Sequence, residues 1–189
     1  MAYPDRMAIE TEWTAELVLA LPEDGIRREL LDGELVVLPA PTLLHQNVVD
    51  EIHQALRSYV RANELGSTHM SPSDIVFSPR RLVQPDVFVA PLVDGRRARS
   101  WSEICALLLV VEVTSPSTAR HDRIKKRRIY LSEPVDDYWI VDLDARLIER
   151  WRHGEERPEV IEDRISWQPS PAVPALEIDL HALFDEALS

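Results

Sequence analysis

The chain is poor in the residues on which several kinds of chemistry depend. A single cysteine, Cys105, leaves no disulfide framework and no zinc-ligand spacing. It stands in an apolar run and is expected to behave as a small core residue. Five glycines among 189 residues supply no phosphate-binding loop, dinucleotide fingerprint or nucleophile elbow. No apolar run approaches the length that spans a bilayer. The N-terminus, with Asp5, Arg6, Glu10 and Glu12, lacks the hydrophobic region of a secretory signal. Repeats and low-complexity segments are absent. The expectation is a cytoplasmic globular protein with no membrane attachment. Its length fits a single domain over residues 1–189, with 1–10 a loose N-terminus and 153–189 a C-terminal extension.

Positive charge is also scarce. The chain carries 21 Lys and Arg against 33 Asp and Glu, a net charge of −12, which argues against a polyanionic partner. The distribution changes that reading. Between Arg80 and Arg128 eleven basic residues face five acidic ones, whereas the rest of the chain holds ten against 28. Both lysines of the protein, Lys125 and Lys126, fall in the basic stretch. An acidic body with a locally basic site is compatible with modest, salt-sensitive binding of nucleic acid.

What the chain does have is concentrated between Gln84 and Tyr130. Gln84-Pro85-Asp86-Val87-Phe88-Val89 and Leu107-Leu108-Leu109-Val110-Val111-Glu112-Val113 each deliver one carboxylate into an apolar strand. A strand buried on both faces reads as a continuous Val, Ile and Leu run, so an ionised Glu112 there costs several kcal/mol, roughly, unless it is paired or metal-bound. Two such carboxylates on neighbouring strands also repel, and a bound Mg²⁺ or Mn²⁺ would relieve both costs. The plainer alternative places each acid at a strand end in water or against a structural arginine.

Around this stretch the elements are legible. Thr11 is a candidate N-cap for a short helix through Ala20. Leu30-Leu31-Asp32-Gly33-Glu34-Leu35-Val36-Val37-Leu38 predicts a hairpin with an Asp-Gly turn, and Glu29 lies on its first strand. Val48, Val49, Ile52, Leu56, Tyr59 and Val60 recur at helical spacing, predicting a helix from Thr42 to about Ala62. His45 shares its apolar stripe; a satisfied, partly buried histidine is the plainer reading and a role in the site the alternative. One strand is expected near His69 to Phe77. Arg96, Arg97 and Arg99 occupy a loop, either solvated or touching phosphates, and Trp101 to Ile104 suits a short helical turn. Ser115-Pro116 predicts a helix start, with the helix reaching Leu131. Asp122, Lys126 and Tyr130, spaced four apart, share one face of it. Residues 137–142 and 147–152 predict a hairpin at the end of the sheet, and Leu180 to Leu188 a final short helix.

As a set, Leu30-Leu31-Asp32-Gly33-Glu34-Leu35, His45-Gln46, Gln84-Pro85-Asp86, Val111-Glu112-Val113-Thr114-Ser115-Pro116-Ser117, Asp122 with Lys126 and Tyr130, and Tyr138-Trp139-Ile140-Val141-Asp142 resemble the Uma-type family described as restriction endonucleases, within the PD-(D/E)XK nuclease superfamily. The resemblance implies an α/β fold with a restriction-endonuclease-like core, a central mixed β-sheet flanked by helices (αβββαβ), preceded by an N-terminal helix and β-hairpin. It implies a divalent-metal-dependent endonuclease that hydrolyses phosphodiester bonds in DNA. Asp86, Glu112 and the carbonyl of Val113 would hold Mg²⁺ or Mn²⁺, with Glu29 and Lys126 completing the catalytic set. Arg120, Arg123, Lys125, Arg127, Arg128, Arg96 and Arg97 are candidates for DNA contact. His45, Gln46, Thr114, Asp122 and Tyr130 are possible accessories. Related nucleases often pair to cut two strands, so a homodimer is expected.

Two departures from the superfamily pattern stand out. The lysine expected two residues beyond the second acid is Thr114 here; the Uma-type family shares that absence, and the resemblance implies that Lys126 on the following helix is its migrated equivalent. Pro134 replaces a usual glycine in the turn before the last core strand. Two other readings share the residues: a non-catalytic dimeric interaction protein that retains the nuclease fold, and a metal-dependent hydrolase of a small phosphoester.

Overall fold

The structure is a computed structural model that describes residues 12–114 and 121–189. Helix α1 (Ala15–Leu19) is capped by Thr14, whose hydroxyl accepts from the Leu17 amide. Thr11, the expected cap, lies outside the described residues. Strands β1 (Arg27–Leu31) and β2 (Glu34–Leu38) form the hairpin, and its turn places Asp32 at φ 53° and Gly33 at φ 91°. Two successive positive φ values match the right-handed twist of the flanking strands, which is why Asp-Gly marks this turn. Helix α2 (Leu43–Ala62) follows, with Thr42 as its N-cap.

The expected single strand from His69 to Phe77 is two strands in different sheets, β3 (Gly66–Met70) and β4 (Ile75–Ser78). A β-rich sequence does not reveal that the chain leaves one sheet at Ser71 and enters another. Next come β5 (Arg81–Val83), β6 (Val87–Pro91), a 3₁₀ turn at Trp101–Glu103 and β7 (Leu109–Thr114). The expected N-cap at Ser115-Pro116 lies outside the described residues. From His121 to Lys126 the backbone forms a π-helical turn rather than the expected α-helix, and α3 (Arg127–Ser132) continues it. The remaining elements are β8 (Asp137–Asp142), β9 (Leu147–Arg152), β10 (Glu159–Ile161), β11 (Arg164–Trp167), β12 (Leu176–Asp179) and α4 (Leu180–Leu188).

The central sheet is mixed, with strand order β10-β9-β8-β7-β6-β3, and only the β7–β8 pair is parallel. The β8–β9 hairpin therefore does not end the sheet, because β10 pairs beyond it. A small antiparallel sheet, β2-β1-β5-β4, packs on one face of the central sheet, and β11-β12 form a separate pair.

Both faces of the central sheet are covered, which explains its unbroken apolar runs. On one face α2 contributes Val48, Ile52 and Leu56 to a cluster with Val87, Val89, Val111, Trp139 and Val141. The stretch 153–189 completes that cluster with Ile165, Trp167, Leu180 and Phe184. On the opposite face Phe88, Val110, Tyr138 and Ile140 pack with Leu31 and Val83 of the small sheet and with Ile129 and Tyr130 of α3. Cys105 stands outside both clusters and is exposed, contrary to expectation. It precedes β7, before the apolar run enters the sheet.

Candidate active site

The site forms where the pairing of β6 and β7 runs out. The two strands pair from Val87↔Val111 to Val89↔Leu109, and Asp86 is the residue just before β6. Past Val111 that edge of β7 has no strand neighbour, so the Val113 amide donates to Asp86 Oδ2 at 3.0 Å. Asp86 is thereby fixed by the main chain of the strand that carries Glu112.

Glu112 alternates with Val111 and Val113 and so faces the small sheet and α3. Glu29 arrives from β1, Lys126 from the last residue of the π-helical turn, and Tyr130 one turn later. Lys126 Nζ donates to Glu112 Oε1 at 2.9 Å, stands 2.9 Å from Glu29 Oε1 and lies 3.6 Å from Asp122 Oδ1. The Tyr130 hydroxyl donates to Glu112 Oε1 at 2.7 Å, and the Gln84 amide donates to Glu29 Oε1 at 2.8 Å. His45, in the first turn of α2, lies with Nε2 3.1 Å from Asp86 Oδ2. The structure thus places His45 in the cluster, where the plainer sequence reading had kept it out. Glu29, Asp86, Glu112, Asp122 and Lys126 are all at most 5% exposed.

Charge does not balance here. Among the described residues, four carboxylates lie around Lys126 and the more distant Arg27, whose Nη2 is 3.5 Å from Asp86 Oδ1, and Asp122 makes a further interaction besides Lys126. Burial, reinforced by Asp86, Asp122 and Glu29, raises the Glu112 carboxyl well above its ordinary range despite Lys126. Burial opposes ionisation of Asp86 too, but its contact with His45 and the nearby Lys126 and Arg27 hold it below the usual range. Burial also works against a charged Lys126, yet Glu112, Glu29, Asp122 and Asp86 outweigh it and raise the ammonium well above its usual value. Among the described residues the carboxylates outnumber the cations beside them, and the ammonium is fixed between Glu112 and Glu29.

Asp86, Glu112 and Glu29 are hard oxygen donors, the set that Mg²⁺ or Mn²⁺ prefers. Glu29 Oε2 is buried without a hydrogen-bond partner among the described residues, as is His45 Nδ1. An excess of carboxylates and an orphaned carboxylate oxygen fit a divalent cation. Against this, no three His, Cys, Asp or Glu side chains among the described residues are gathered in metal-binding geometry. Lys126 Nζ stands between Glu112 and Glu29, holding them as an internal cation.

The other expected residues are dispersed. Thr114 ends β7 with its hydroxyl donating to the Val141 carbonyl at 3.3 Å, and Gln46 is exposed on α2. Arg123 is paired to Asp142 at 2.6 Å and to Glu149 at 2.8 Å, Lys125 to Glu34 at 2.6 Å, and Arg96 to Glu103 at 2.8 Å. Arg127 lies over the Trp151 ring at 4.5 Å, Arg128 is exposed, and Arg120 falls outside the described residues. Sequence reasoning missed Arg27, which reaches both Asp86 and the Gln84 carbonyl. Its signal was available: Arg27 and Glu29 are two apart on one strand and share a face.

A family model named Uma2, with the description "Putative restriction endonuclease", matches residues 15–181. The chain belongs to the Uma2 family. It is accordingly a member of the PD-(D/E)XK-like nuclease superfamily. Among solved structures, a protein from Anabaena variabilis titled a putative nuclease belonging to DUF820 superposes with a TM-score of 0.74 at 20% identity. The alignment covers 92% of this chain and 98% of that one, and at that identity it shows a shared fold. A comparison with curated proteins returned no match. The fold common to the Uma2 chain and this neighbour is α/β, with a central mixed sheet flanked by helices.

Proposed function

We propose that this Uma2 chain is a divalent-metal-dependent endonuclease that hydrolyses phosphodiester bonds in DNA. The observation that carries the reading is that Asp86, just before β6, and Glu112, on the adjacent β7, are buried together where the two strands part, with Lys126 bonded to Glu112. Asp86 and Glu112, with the carbonyl of Val113, would hold Mg²⁺ or Mn²⁺. A cation there supplies Lewis-acid polarisation of a phosphoryl oxygen and a more acidic water.

The chain's own residues account for the rest. The Val113 amide and His45 orient Asp86; Tyr130 orients Glu112. Lys126, held protonated by its carboxylate neighbours, donates hydrogen bonds and offsets negative charge developing on the phosphoryl group, and it does not serve as a base. Glu29 positions that ammonium. Of the basic residues expected at the nucleic acid, Arg97, Arg127 and Arg128 are without an ion-pair partner among the described residues, Arg127 lying over the Trp151 ring. With a net charge of −12, binding to DNA is modest and weakens with salt.

The test is nicking of supercoiled plasmid at low salt with Mg²⁺ or Mn²⁺, against chelator, for wild type, Asp86→Ala and Lys126→Ala. Metal-dependent relaxation is expected in wild type alone.

A second reading has one observation in its favour. Lys126 already bridges Glu112 and Glu29 through one oxygen of each, which suits a non-catalytic dimeric interaction protein on the nuclease fold. Calorimetry separates the two. Binding of Mn²⁺ that is lost in Asp86→Ala supports the nuclease, whereas no binding and no nicking supports the interaction protein.

A further inference from the structure

A concentration of unpaired positive charge lies at the other end of the central sheet from the carboxylate cluster. Its cavity, of about 270 Å³, is lined by His53, Arg57 and Arg61 of α2, Ser67 and His69 of β3, and Arg97 of the loop after β6. His53, Arg57 and Arg61 recur every four residues and therefore share one face of the helix. Gly66 opens this end of β3. A Cβ on it would fall 2.0 Å from the Ala90 carbonyl oxygen, so only glycine lets β3 lie this close to β6 at φ 152°.

Among the described residues no carboxylate lines the cavity. In a chain this acidic most arginines find a partner, as Arg81, Arg96, Arg123 and Arg150 do. Among the described residues Arg57, Arg61 and Arg97 have none. Thr68 also lines the cavity, and its Oγ1 is buried without a hydrogen-bond partner among the described residues. The His69 ring is fixed: it stacks on Phe88 at 5.1 Å, meets the edge of Trp101 at 5.2 Å, and has Ser67 Oγ 2.8 Å from Nε2. Burial, then Arg57, lowers His53, with Asp50 partly opposing, and burial, then His53 and Arg97, lowers His69. Both imidazoles are thus held toward the neutral form, and only His53 has a carboxylate, Asp50, acting against this.

We infer that this cavity binds a phosphate group, using Arg57, Arg61 and Arg97 as charged donors and His53, His69 and Ser67 as the polar floor. Guanidinium groups match phosphate oxygens in both geometry and charge. The site is separate from the catalytic carboxylates: His53 follows His45 by eight residues of α2, about 12 Å at the helical rise. The inference stands whether or not the chain cleaves DNA. The phosphate belongs either to a nucleic-acid backbone or to a small phosphorylated molecule, and the chemistry in the cavity is the same.

The experiment is proton NMR of the histidine ring resonances in the full chain, titrated with inorganic phosphate and, as control, with chloride at matched ionic strength. Saturable shifts of His53 and His69 are expected with phosphate only. In Arg57→Ala/Arg97→Ala, two exposed positions whose loss leaves the core intact, the phosphate affinity falls about tenfold or more. Asp86→Ala keeps the wild-type shifts, which separates this site from the catalytic reading. Repeating the titration with a duplex oligonucleotide identifies the source: the same two resonances move if the backbone is the ligand, and stay still if the ligand is small. Absence of any saturable shift with phosphate, or equal shifts in the double variant, overturns the inference.

Discussion

Strand β7 shows the two faces of the central sheet side by side. Leu109, Val111 and Val113 join a cluster of aliphatic and aromatic side chains contributed by α2, β8 and the C-terminal elements. Val110 and Glu112 point the other way, and beyond Val110 the apolar packing gives way to Glu29, Lys126 and Tyr130. The first face is held by burial, which is non-directional and tolerates substitution of similar volume. The second is held by a few charge-assisted hydrogen bonds whose members depend on one another, so losing one strands the rest. One run of sequence thus supplies a face built for stability and a face that carries a cost.

The largest expected effect breaks the apolar face. Truncation after His153 removes Ile165, Trp167, Leu180 and Phe184 from the core. Loss of the cooperative thermal transition is expected; a truncated chain that still melts sharply would show that the α2 face closes without them. The ionic face is tested by Lys126→Ala, which leaves Glu112 and Glu29 buried without their cation and is expected to cost about 3–5 kcal/mol in urea denaturation. Replacing Glu29, Glu112 and Lys126 together by leucine should recover part of that loss, because neither Glu112 nor Glu29 is then stranded. A triple variant as unstable as Lys126→Ala would mean that the contrast between the faces is wrongly drawn.

A smaller effect separates buried charge from pH. Burial raises Asp137, at the start of β8, from 3.8 to about 6, with Arg152 and Arg150 opposing. The folded state then holds a proton that the unfolded state has released, so stability falls as pH rises from 3.8 to about 6. Asp137→Asn should remove this part of the pH slope, seen as a flatter plot of urea midpoint against pH. The smallest effect belongs to neither face. Thr42 caps α2 by accepting from the His45 amide, and Thr42→Ala should cost about 1 kcal/mol in the same assay. A greater loss of metal affinity than of stability in that variant would show that the cap also positions His45 against Asp86.

The elements that could be read from the sequence are those whose cause is local. Asp32-Gly33 specifies its hairpin because both residues tolerate positive φ. Thr42 and the apolar stripe specify α2, and Leu180 to Leu188 coincides with α4. Asp86 and Glu112 were visible because charge adjoins or interrupts apolar sequence at a cost that needs an explanation; Lys126, inside a basic run, was singled out by its four-residue spacing from Asp122 and Tyr130 and by the family resemblance. The misreadings have non-local causes. The segment from Gly66 to Ser78 divides between two sheets, and nothing in its composition marks the division. The π-helical turn keeps Lys126 close to Asp122 while reaching Glu29 and Glu112, a demand set by partners far away in sequence. Cys105 is exposed although its neighbours read as a strand, because pairing with β6 begins only at Leu109.

By itself the sequence determined that the strands are buried on both faces, that a carboxylate interrupts or adjoins two of them, and that the positive charge is gathered in one stretch. It could do so because burial preference, turn chemistry and charge are properties of single residues and their near neighbours. Only the tertiary structure decided that β6 stops pairing with β7 one residue short of Glu112, freeing the Val113 amide for Asp86. It alone brought Arg27 and His45 to that carboxylate, and three unpaired arginines to one cavity at the far end of the sheet. Those arrangements depend on strand register and on the separation of the layers, which distances along the chain do not encode.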